Sequence, residues 1–169
     1  MIRLIDPDAD AHLIPQLAGM MVAAVAGGAS IGFMAGYTQD AAENWWQTRF
    51  RAARVAEIAI LVTAVGDVVT GTVSLVPAAM PNQLHRADVA KMMVAPHAQR
   101  RGVGAALLAA VEDLARGMGR TTLVLDTISG SAAARLYERG GWERVGEIPA
   151  FALMPDGAMA PTTYYTKRL

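Results

Sequence analysis

Three kinds of sequence follow one another in the stretch Met92-Met93-Val94-Ala95-Pro96-His97-Ala98-Gln99-Arg100-Arg101-Gly102-Val103-Gly104-Ala105-Ala106-Leu107-Leu108. The apolar segment Arg86–Val94, which ends just before Pro96, predicts a strand. The basic, glycine-containing segment Gln99–Gly104 predicts a tight loop. From Ala105 to Arg116 the apolar residues recur at helical spacing and predict a helix. A strand, a basic glycine loop and a helix in this order are typical of an anion-binding site.

The predicted anion site depends on the first turn of this helix. About four backbone N–H groups there lack partners within the helix, and they carry the positive end of the helix dipole. Gly102 and Gly104 have no Cβ, so a phosphate can approach these N–H groups closely. Arg100 and Arg101 add positive charge that does not titrate. An ordinary strand-to-helix turn with two solvated arginines would show the same glycine spacing.

A family resemblance favours the anion site over the ordinary turn. The segment Gln99-Arg100-Arg101-Gly102-Val103-Gly104 resembles the Q/R-x-x-G-x-G/A loop of the GCN5-related N-acetyltransferases (GNAT), in which the loop binds the pyrophosphate of coenzyme A. It differs from the dinucleotide pattern G-x-G-x-x-G and contains no Gly-Lys-Ser/Thr. The resemblance implies that acetyl-CoA is the cosubstrate and is bound by Met93, Val94, Gln99, Arg100, Arg101, Gly102, Val103, Gly104 and Ala105.

Composition limits the other classes of function. The chain has 169 residues, a formal net charge of zero, no cysteine and three histidines that lie far apart in the sequence. The length suits one domain over residues 1–169, and the zero charge argues against a nucleic-acid partner. Histidines without ligand spacing predict no metal site. With no apolar run of about 20 residues and no signal-peptide pattern, we expect no membrane span and a cytoplasmic location.

The order of the predicted elements defines a fold class. Hydrophobic periodicity and chain breakers predict β, α, α, three antiparallel strands, and then α, β, α, β, β. We therefore expect a mixed α/β fold with a mostly antiparallel sheet flanked by helices, and this order resembles that of the GNAT fold. The predicted segments are strands at Ile2–Ile5, Glu57–Val65, Val68–Val76, Arg86–Val94, Thr121–Asp126, Trp142–Ile148 and Thr162–Arg168, and helices at Leu13–Ala26, Asp40–Arg54, Ala105–Arg116 and within 130–141.

Further stretches of the chain narrow the resemblance. Ala133-x-x-x-Tyr137-Glu138-x-x-Gly141-Trp142 is similar to the second GNAT signature, although Gly130 replaces the usual asparagine, which puts one hydrogen bond to the pantetheine arm in doubt. Other segments resemble the tabtoxin-resistance acetyltransferases, which acetylate a β-lactam-containing amino-acid toxin. These segments are Gly27–Met34, Leu125–Thr127, Val145–Pro149, Pro155–Gly157 and Pro161–Thr162.

The chain contains residues suited to direct acetyl transfer. Without a cysteine or a Ser-His pair, an acyl-enzyme is not expected. An amine with a pKa near 10 needs a base, and Asp88 and Asp126 are the candidates. The alternatives are that Asp126 caps the following turn and that Asp88 pairs with Arg86 or Lys91. Tyr137 matches the tyrosine that protonates the leaving thiolate in the family, and a backbone N–H near Val94 is expected at the oxyanion.

The sequence thus predicts an acetyl-CoA-dependent N-acetyltransferase acting on a small-molecule amine. We expect the acceptor to lie between the segment Gly27–Tyr37 and a loop at Pro149–Pro161, whereas Arg135 and Arg139 face either the phosphates or water. The helix predicted at Asp40–Arg54 carries Ala42, Trp45, Trp46, Arg49 and Phe50 near one face, which is typical of core. Acetylation of a hydroxyl, of a protein N-terminus or of a lysine, and a coenzyme A sensor without turnover, are the alternatives. The sequence does not define the oligomeric state.

Overall fold

Strands and helices follow one another in the order that the sequence predicts. The computed structural model describes all residues from 1 to 169. The mixed α/β class and the mostly antiparallel sheet are therefore confirmed. The elements are β1 (Ile2–Leu4), α1 (Ile14–Ala26), α2 (Gln39–Arg54), β2 (Ala59–Val65), β3 (Val68–Pro77), β4 (Arg86–Val94), α3 (Val103–Gly117), β5 (Thr122–Ile128), α4 (Ala132–Arg139), β6 (Glu143–Leu153) and β7 (Met159–Arg168).

The seven strands form one sheet in the order β1-β2-β3-β4-β5-β7-β6. All neighbouring strands are antiparallel except β4 and β5, which are parallel. The parallel pair is short, because its register ends at Asp88 opposite Val124. Beyond this pair β4 continues along β3 and β5 continues along β7, so the two central strands diverge. The divergence creates a wedge that opens toward the start of α3.

Apolar side chains form a core on each face of the sheet. On one face, α1 and α2 contribute Leu17, Met21 and Trp46, which are fully buried. On the other face, α3 packs Leu107 and Val111 into a second cluster with strand residues. The apolar positions of α3 recur every three or four residues, so a single stripe of the helix is removed from water. Burial of this kind contributes about 25 cal/mol for each Å² of apolar surface.

Side-chain caps begin two of the helices. The Thr38 side chain accepts a hydrogen bond from the Ala41 N–H at 3.2 Å, and α2 therefore begins at Gln39 rather than at the predicted Asp40. The Ser131 hydroxyl likewise accepts from the Ala134 N–H at 3.0 Å and begins α4. Such caps satisfy N–H groups that would otherwise lack partners. None of the four helices combines the length and the apolar character that a membrane crossing requires.

The loop predicted at Pro149–Pro161 is wrong in its extent. Strand β6 continues to Leu153 and β7 begins at Met159, so only residues 154–158 connect them. The prediction relied on Pro149 as a chain breaker. The structure accommodates this proline because β6 is an edge strand and its register with β7 shifts between Ile148 and Ala152. Edge strands and bulges are the places where a sheet tolerates proline.

Candidate active site

A bulge in β4 lies beside the wedge. Ser74 pairs with Ala90, and Thr72 pairs with Met93, so Lys91 and Met92 together oppose the single residue Val73. Lys91 has a φ of 50°, which is in the left-handed region that non-glycine residues seldom adopt. A bulge adds one residue and changes the face to which the following side chains point. Lys91 consequently points to the face of the sheet that carries α1 and α2.

Asp126 lies on β5 beyond the last pair with β4. Strand β5 continues to Ile128, so Asp126 lies within the strand rather than at its predicted end, and Ser131 caps the following helix. The carboxylate is accessible to solvent and is also enclosed by protein atoms on its inner side. This partial burial raises the pKa of Asp126, the nearby Lys91 ammonium lowers it, and the Asp88 carboxylate adds a smaller increase. A raised pKa improves a carboxylate as a general base.

Asp88 lies on β4, next to Asp126 across the wedge, but it has a partner. The Arg86 guanidinium donates to the Asp88 Oδ1 at 2.5 Å, so the alternative in which these two residues pair is observed. An acceptor amine would have to compete with Arg86 for this carboxylate. Asp126 forms no ion pair of this kind. The structure brings both carboxylates together, and of the two only Asp88 is held in an ion pair.

Tyr137 is buried in α4, where its side chain is 7 % exposed. Burial, together with the negative charge of Asp126, raises the pKa of Tyr137 to about 12. Its ring packs against those of Trp142 and Tyr165, with centroids at 5.9 and 6.1 Å. Tyr137 is therefore both a core aromatic residue and a phenol that stays protonated near Asp126.

The predicted anion loop has the geometry that its sequence suggests. Helix α3 begins at Val103, two residues before the predicted Ala105. The backbone N–H groups of residues 100–105 donate to no protein acceptor. Gln99 ties the loop to β4, because its side chain donates to the Val94 carbonyl at 3.2 Å. Arg100 and Arg101 are exposed and have no acidic partner. The result is an array of free donors with two free cations.

Glycine occurs at the two positions of the loop for different structural reasons. Gly102 has a φ of 80° and caps α3 in the left-handed conformation, where a Cβ would be strained. A Cβ on Gly104 would lie 3.1 Å from Leu136 Cδ2, so this glycine allows α4 to pack closely on α3. Close approach of an anion is therefore not the only reason for glycine at either position.

Arg135 and Arg139 differ in their surroundings. Arg135 Nη1 donates to the Gly130 carbonyl at 2.8 Å, so its guanidinium holds the turn before α4. Arg139 lines a cleft between α3 and α4 that begins at Ala105, the last of the free N–H groups. Arg139 thus shares a cleft with the last residue of the anion loop, whereas the Arg135 guanidinium is bonded to the turn before α4.

The segment Gly27–Tyr37 contacts the turn between β6 and β7. The Ala35 N–H donates to the Pro155 carbonyl at 3.0 Å, and the Ser30 hydroxyl donates to the Leu153 carbonyl at 3.4 Å. Within the segment, the rings of Phe33 and Tyr37 stack with centroids 4.2 Å apart. The two chain segments that the sequence assigns to the acceptor are therefore neighbours, although the second is shorter than predicted.

Two cationic residues at this place were missed as site residues. Lys91 Nζ donates to the Ile31 carbonyl at 2.6 Å and lies 5.3 Å from the centroid of the Phe33 ring. The Arg49 guanidinium lies 5.3 Å from the centroid of Trp45, which is 5.7 Å from Lys91 Nζ. Trp45 is half-buried and packs against the core, whereas Arg49 on the same predicted face is a half-buried cation outside it. The available signal was a lone lysine among apolar residues in β4.

Comparison with known proteins identifies the family. The model of the acetyltransferase (GNAT) domain family matches residues 55–144, which is more than half of the chain. The chain belongs to the GNAT acetyltransferase family. Ribosomal-protein-alanine N-acetyltransferase from Brucella melitensis has a similar structure, with a TM-score of 0.81, 24% identity and coverage of 100% of this chain and 99% of that one. The structure of yncA from Salmonella typhimurium with its cofactor acetyl-CoA gives a TM-score of 0.80, 23% identity, and coverage of 100% and 93%.

The GNAT membership confirms several predictions made from the sequence. The chain is an acetyltransferase, and the GNAT fold is confirmed together with its mixed sheet. The matched residues include the anion loop, Asp88, Asp126 and Tyr137. Nowhere in the structure do three or more His, Cys, Asp or Glu side chains group in a way that could hold a metal ion.

Proposed function

We propose that this GNAT enzyme transfers acetyl from acetyl-CoA to the amine of a small-molecule acceptor by direct attack. The observation that carries the proposal is the position of Asp126 at the wedge, where its charge acts on Tyr137, in a wedge that opens toward six backbone N–H groups without acceptors. An anion-binding loop and a base of raised pKa thus lie at one opening of the sheet. Because strands from both ends of the chain belong to this sheet, we also infer that residues 1–169 form one acetyltransferase domain.

Acetyl-CoA fits the free donors at the start of α3. Its pyrophosphate is an anion, and the N–H groups of residues 100–105 supply donors and the helix dipole that an anion requires. Arg100 and Arg101 add charge, and Met93 and Val94 border the wedge. Arg139, which lines the same cleft as Ala105, is a further candidate cation for the phosphates. When bound, the thioester supplies an electrophilic carbonyl carbon and a thiolate leaving group.

In the proposed mechanism Asp126 accepts the proton of the acceptor amine, directly or through one water molecule. The raised pKa of Asp126 reduces the gap to an amine with a pKa of about 10, and the accessible side chain can exchange its proton with solvent. As the nitrogen–carbon bond forms, the carbon–sulfur bond breaks, and the thiolate leaves as the conjugate base of coenzyme A. A backbone N–H near Val94, where β4 has left β5, is the proposed donor to the developing oxyanion.

Tyr137 is the proposed donor to the leaving sulfur. With a pKa of about 12 the phenol carries its proton throughout the neutral range. It can therefore hydrogen-bond the thiolate as charge develops there, which stabilises the transition state more than the ground state. No cysteine is present to form an acyl-enzyme, so the amine itself is the proposed nucleophile.

The resemblance of Gly27–Met34 and Pro155–Gly157 to the tabtoxin-resistance enzymes supports a finer proposal about the acceptor. We propose a toxin-like or antibiotic-like amino acid, placed between the segment Gly27–Tyr37 and the turn at residues 154–158. The contact between these segments supports this placement. A cytoplasmic location stays a prediction from the sequence.

A steady-state assay of free thiol tests the proposed function. Acetyl-CoA consumption is followed against amino acids, β-lactam amino acids, polyamines, aminoglycosides and peptides. For a responding acceptor, Asp126→Asn should lower kcat by about 100-fold or more, because general base catalysis contributes factors of about 10² to 10⁴. Calorimetric affinity for acetyl-CoA should stay unchanged, since Asp126 is not part of the proposed anion loop.

The matched control is Asp113→Asn, which removes an exposed carboxylate of α3 that pairs with Arg116. This variant should retain wild-type kcat. Unchanged turnover in Asp126→Asn would remove Asp126 from the mechanism. Tight acetyl-CoA binding without turnover on any small amine would instead favour a sensor or a protein acceptor.

A further inference from the structure

Lys91 and Arg49 are two cations near Trp45, and the Asp126 carboxylate acts on the charge of Lys91 without forming an ion pair with it. Neither residue makes any of the ion pairs in the structure. Arg49 Nε is buried and has no hydrogen-bond partner. Lys91 uses its ammonium on one neutral carbonyl, that of Ile31. Charges removed from water are normally paired, so two half-buried cations near one tryptophan, neither in an ion pair, require an explanation.

The electrostatics of the pair point to a missing anion. Burial lowers the pKa of Lys91, and the Arg49 charge lowers it further, although Asp126 opposes the change. The two cations therefore repel each other through a partly dehydrated space. An anion that contacts both cations would offset the repulsion and would give Arg49 Nε an acceptor.

The surroundings of the pair connect it to the acceptor side of the active site. Trp45 lies near both cations, and Phe33 lies near Lys91, so the space has an aromatic wall. Lys91 also binds the segment Gly27–Tyr37 through Ile31. Asp126 is near enough to Lys91 to act on its charge, yet the two side chains form no ion pair. A small ligand could therefore occupy the space between a carboxylate and two cations.

We propose that Lys91 and Arg49 bind the carboxylate of the acceptor, so that the acceptor is a zwitterionic amino acid whose amine lies toward Asp126. The inference rests on the proposed function and adds to it a carboxylate-binding subsite. Arg49 supplies planar donors that match a carboxylate, and Lys91 supplies a point charge from the strand bulge. The aromatic side chains Phe33 and Trp45 then contact the rest of the acceptor.

A simpler role for Lys91 would be to hold the segment Gly27–Tyr37 against β4. In that case a substitution of Lys91 would weaken all acceptors equally, whether or not they carry a carboxylate. Carboxylate binding predicts instead a loss that depends on the acceptor. The two roles therefore differ in a measurable ratio.

The experiment compares three matched series of acceptors in the free-thiol assay. These are L-amino acids, their carboxamides, and the amines that lack the carboxyl group. The variants are Lys91→Met, Lys91→Arg and Arg49→Gln. The matched control is Arg51→Gln, which alters an exposed arginine of α2 whose side chain donates a hydrogen bond to the Thr48 hydroxyl. Binding of each acceptor in the presence of coenzyme A is measured by calorimetry in parallel.

The wild-type enzyme should prefer at least one amino acid to its carboxamide by about 10- to 100-fold in kcat/KM, the range expected for a charge-assisted hydrogen bond. Lys91→Met and Arg49→Gln should remove this preference, mainly through KM. Loss of the Lys91 charge near Asp126 and of its bond to Ile31 changes the rates of all three series alike, so the acid-to-carboxamide ratio is the readout of the subsite. Lys91→Arg should keep part of the preference, and Arg51→Gln should keep all of it.

The outcomes separate this inference from the proposed function. Turnover of amines with equal rates for acids and amides would overturn the subsite and leave the acetyltransferase proposal intact. Amino acids that bind in a Lys91-dependent manner without any acetylation would contradict the proposed function and support the subsite. If none of the three series binds, the subsite is overturned.

Discussion

The raised pKa of Tyr137 limits its ability to transfer a proton to the leaving thiolate. A thiol has a pKa of about 8.5, whereas that of Tyr137 is raised to about 12. Complete proton transfer from the phenol to the thiolate would therefore be uphill by about 5 kcal/mol, at 1.36 kcal/mol for each pKa unit. A hydrogen bond to the developing thiolate has no such penalty. Tyr137 is thus better suited to donate a hydrogen bond, while solvent completes the protonation.

Replacing Tyr137 by Phe tests this role. We expect kcat to fall by about 10- to 100-fold, while the KM for acetyl-CoA changes little, because the bond forms mainly in the transition state. The ring still fills its place beside Trp142 and Tyr165, so the fold should persist. Steady-state kinetics and circular dichroism measure both effects.

Tyr165→Phe is the matched control, since this phenol lies in the same cluster but donates to Glu138 at 2.8 Å. It should retain the wild-type kcat. Equal losses in both variants would show that the effect of Tyr137→Phe arises from packing.

At the scale of elements, two glycines determine how α3 begins. Gly102 provides the left-handed backbone conformation, and Gly104 allows α4 to pack on α3. Gly102→Ala should lower the free energy of unfolding by about 1–2 kcal/mol, because a Cβ is strained at a φ of 80°. Gly104→Ala should be nearly neutral for stability. The Leu136 methyl at 3.1 Å can rotate away, and alanine gains about 1 kcal/mol of helix propensity over glycine. Urea unfolding measures both values.

The same pair of variants separates stability from cosubstrate binding. If a phosphate approaches the backbone at Gly104, the KM for acetyl-CoA should rise in Gly104→Ala even though its stability is unchanged. A large destabilisation by Gly104→Ala would instead mean that α4 cannot move away, and that packing alone requires this glycine.

Helices, strands and loops were predictable from the sequence where residues close along the chain determine them. The periodic apolar stripe of α3 and the basic glycine loop before it were readable from sequence, because both depend on neighbours within a few residues. The continuation of β6 past Pro149 was not, since it depends on the edge position of the strand. Lys91 was missed for a similar reason. A lone lysine in an apolar strand indicated that this position was unusual, but the face to which Lys91 points follows from a bulge set by pairing with β3, which the sequence does not show.

At the scale of the whole molecule, ligand binding and stability are linked. Acetyl-CoA at about 100 times its Kd should add about 2.7 kcal/mol to the free energy of unfolding. For a chain of this size that corresponds to an increase in Tm of about 5–10 °C. Differential scanning fluorimetry with increasing acetyl-CoA measures the shift.

The double variant Arg100→Gln/Arg101→Gln should show a smaller shift at the same concentration, and added salt should reduce the difference from wild type, because exposed charges are screened. Arg116→Gln, at the far end of α3, is the control and should behave as wild type. A shift that is unaffected by the double variant would place the cosubstrate elsewhere.

The short parallel pairing of β4 and β5 has a consequence for cooperativity. Strand pairing joins β1–β4 to β5–β7 through three residue pairs alone, so the rest of the connection consists of the core under α3 and the bonds between the segment Gly27–Tyr37 and the β6–β7 end. We expect this boundary, with its few ladder hydrogen bonds, to open at less free energy than complete unfolding requires. A molecule bound in the wedge bridges the boundary, so that β1–β4 and β5–β7 would unfold as one.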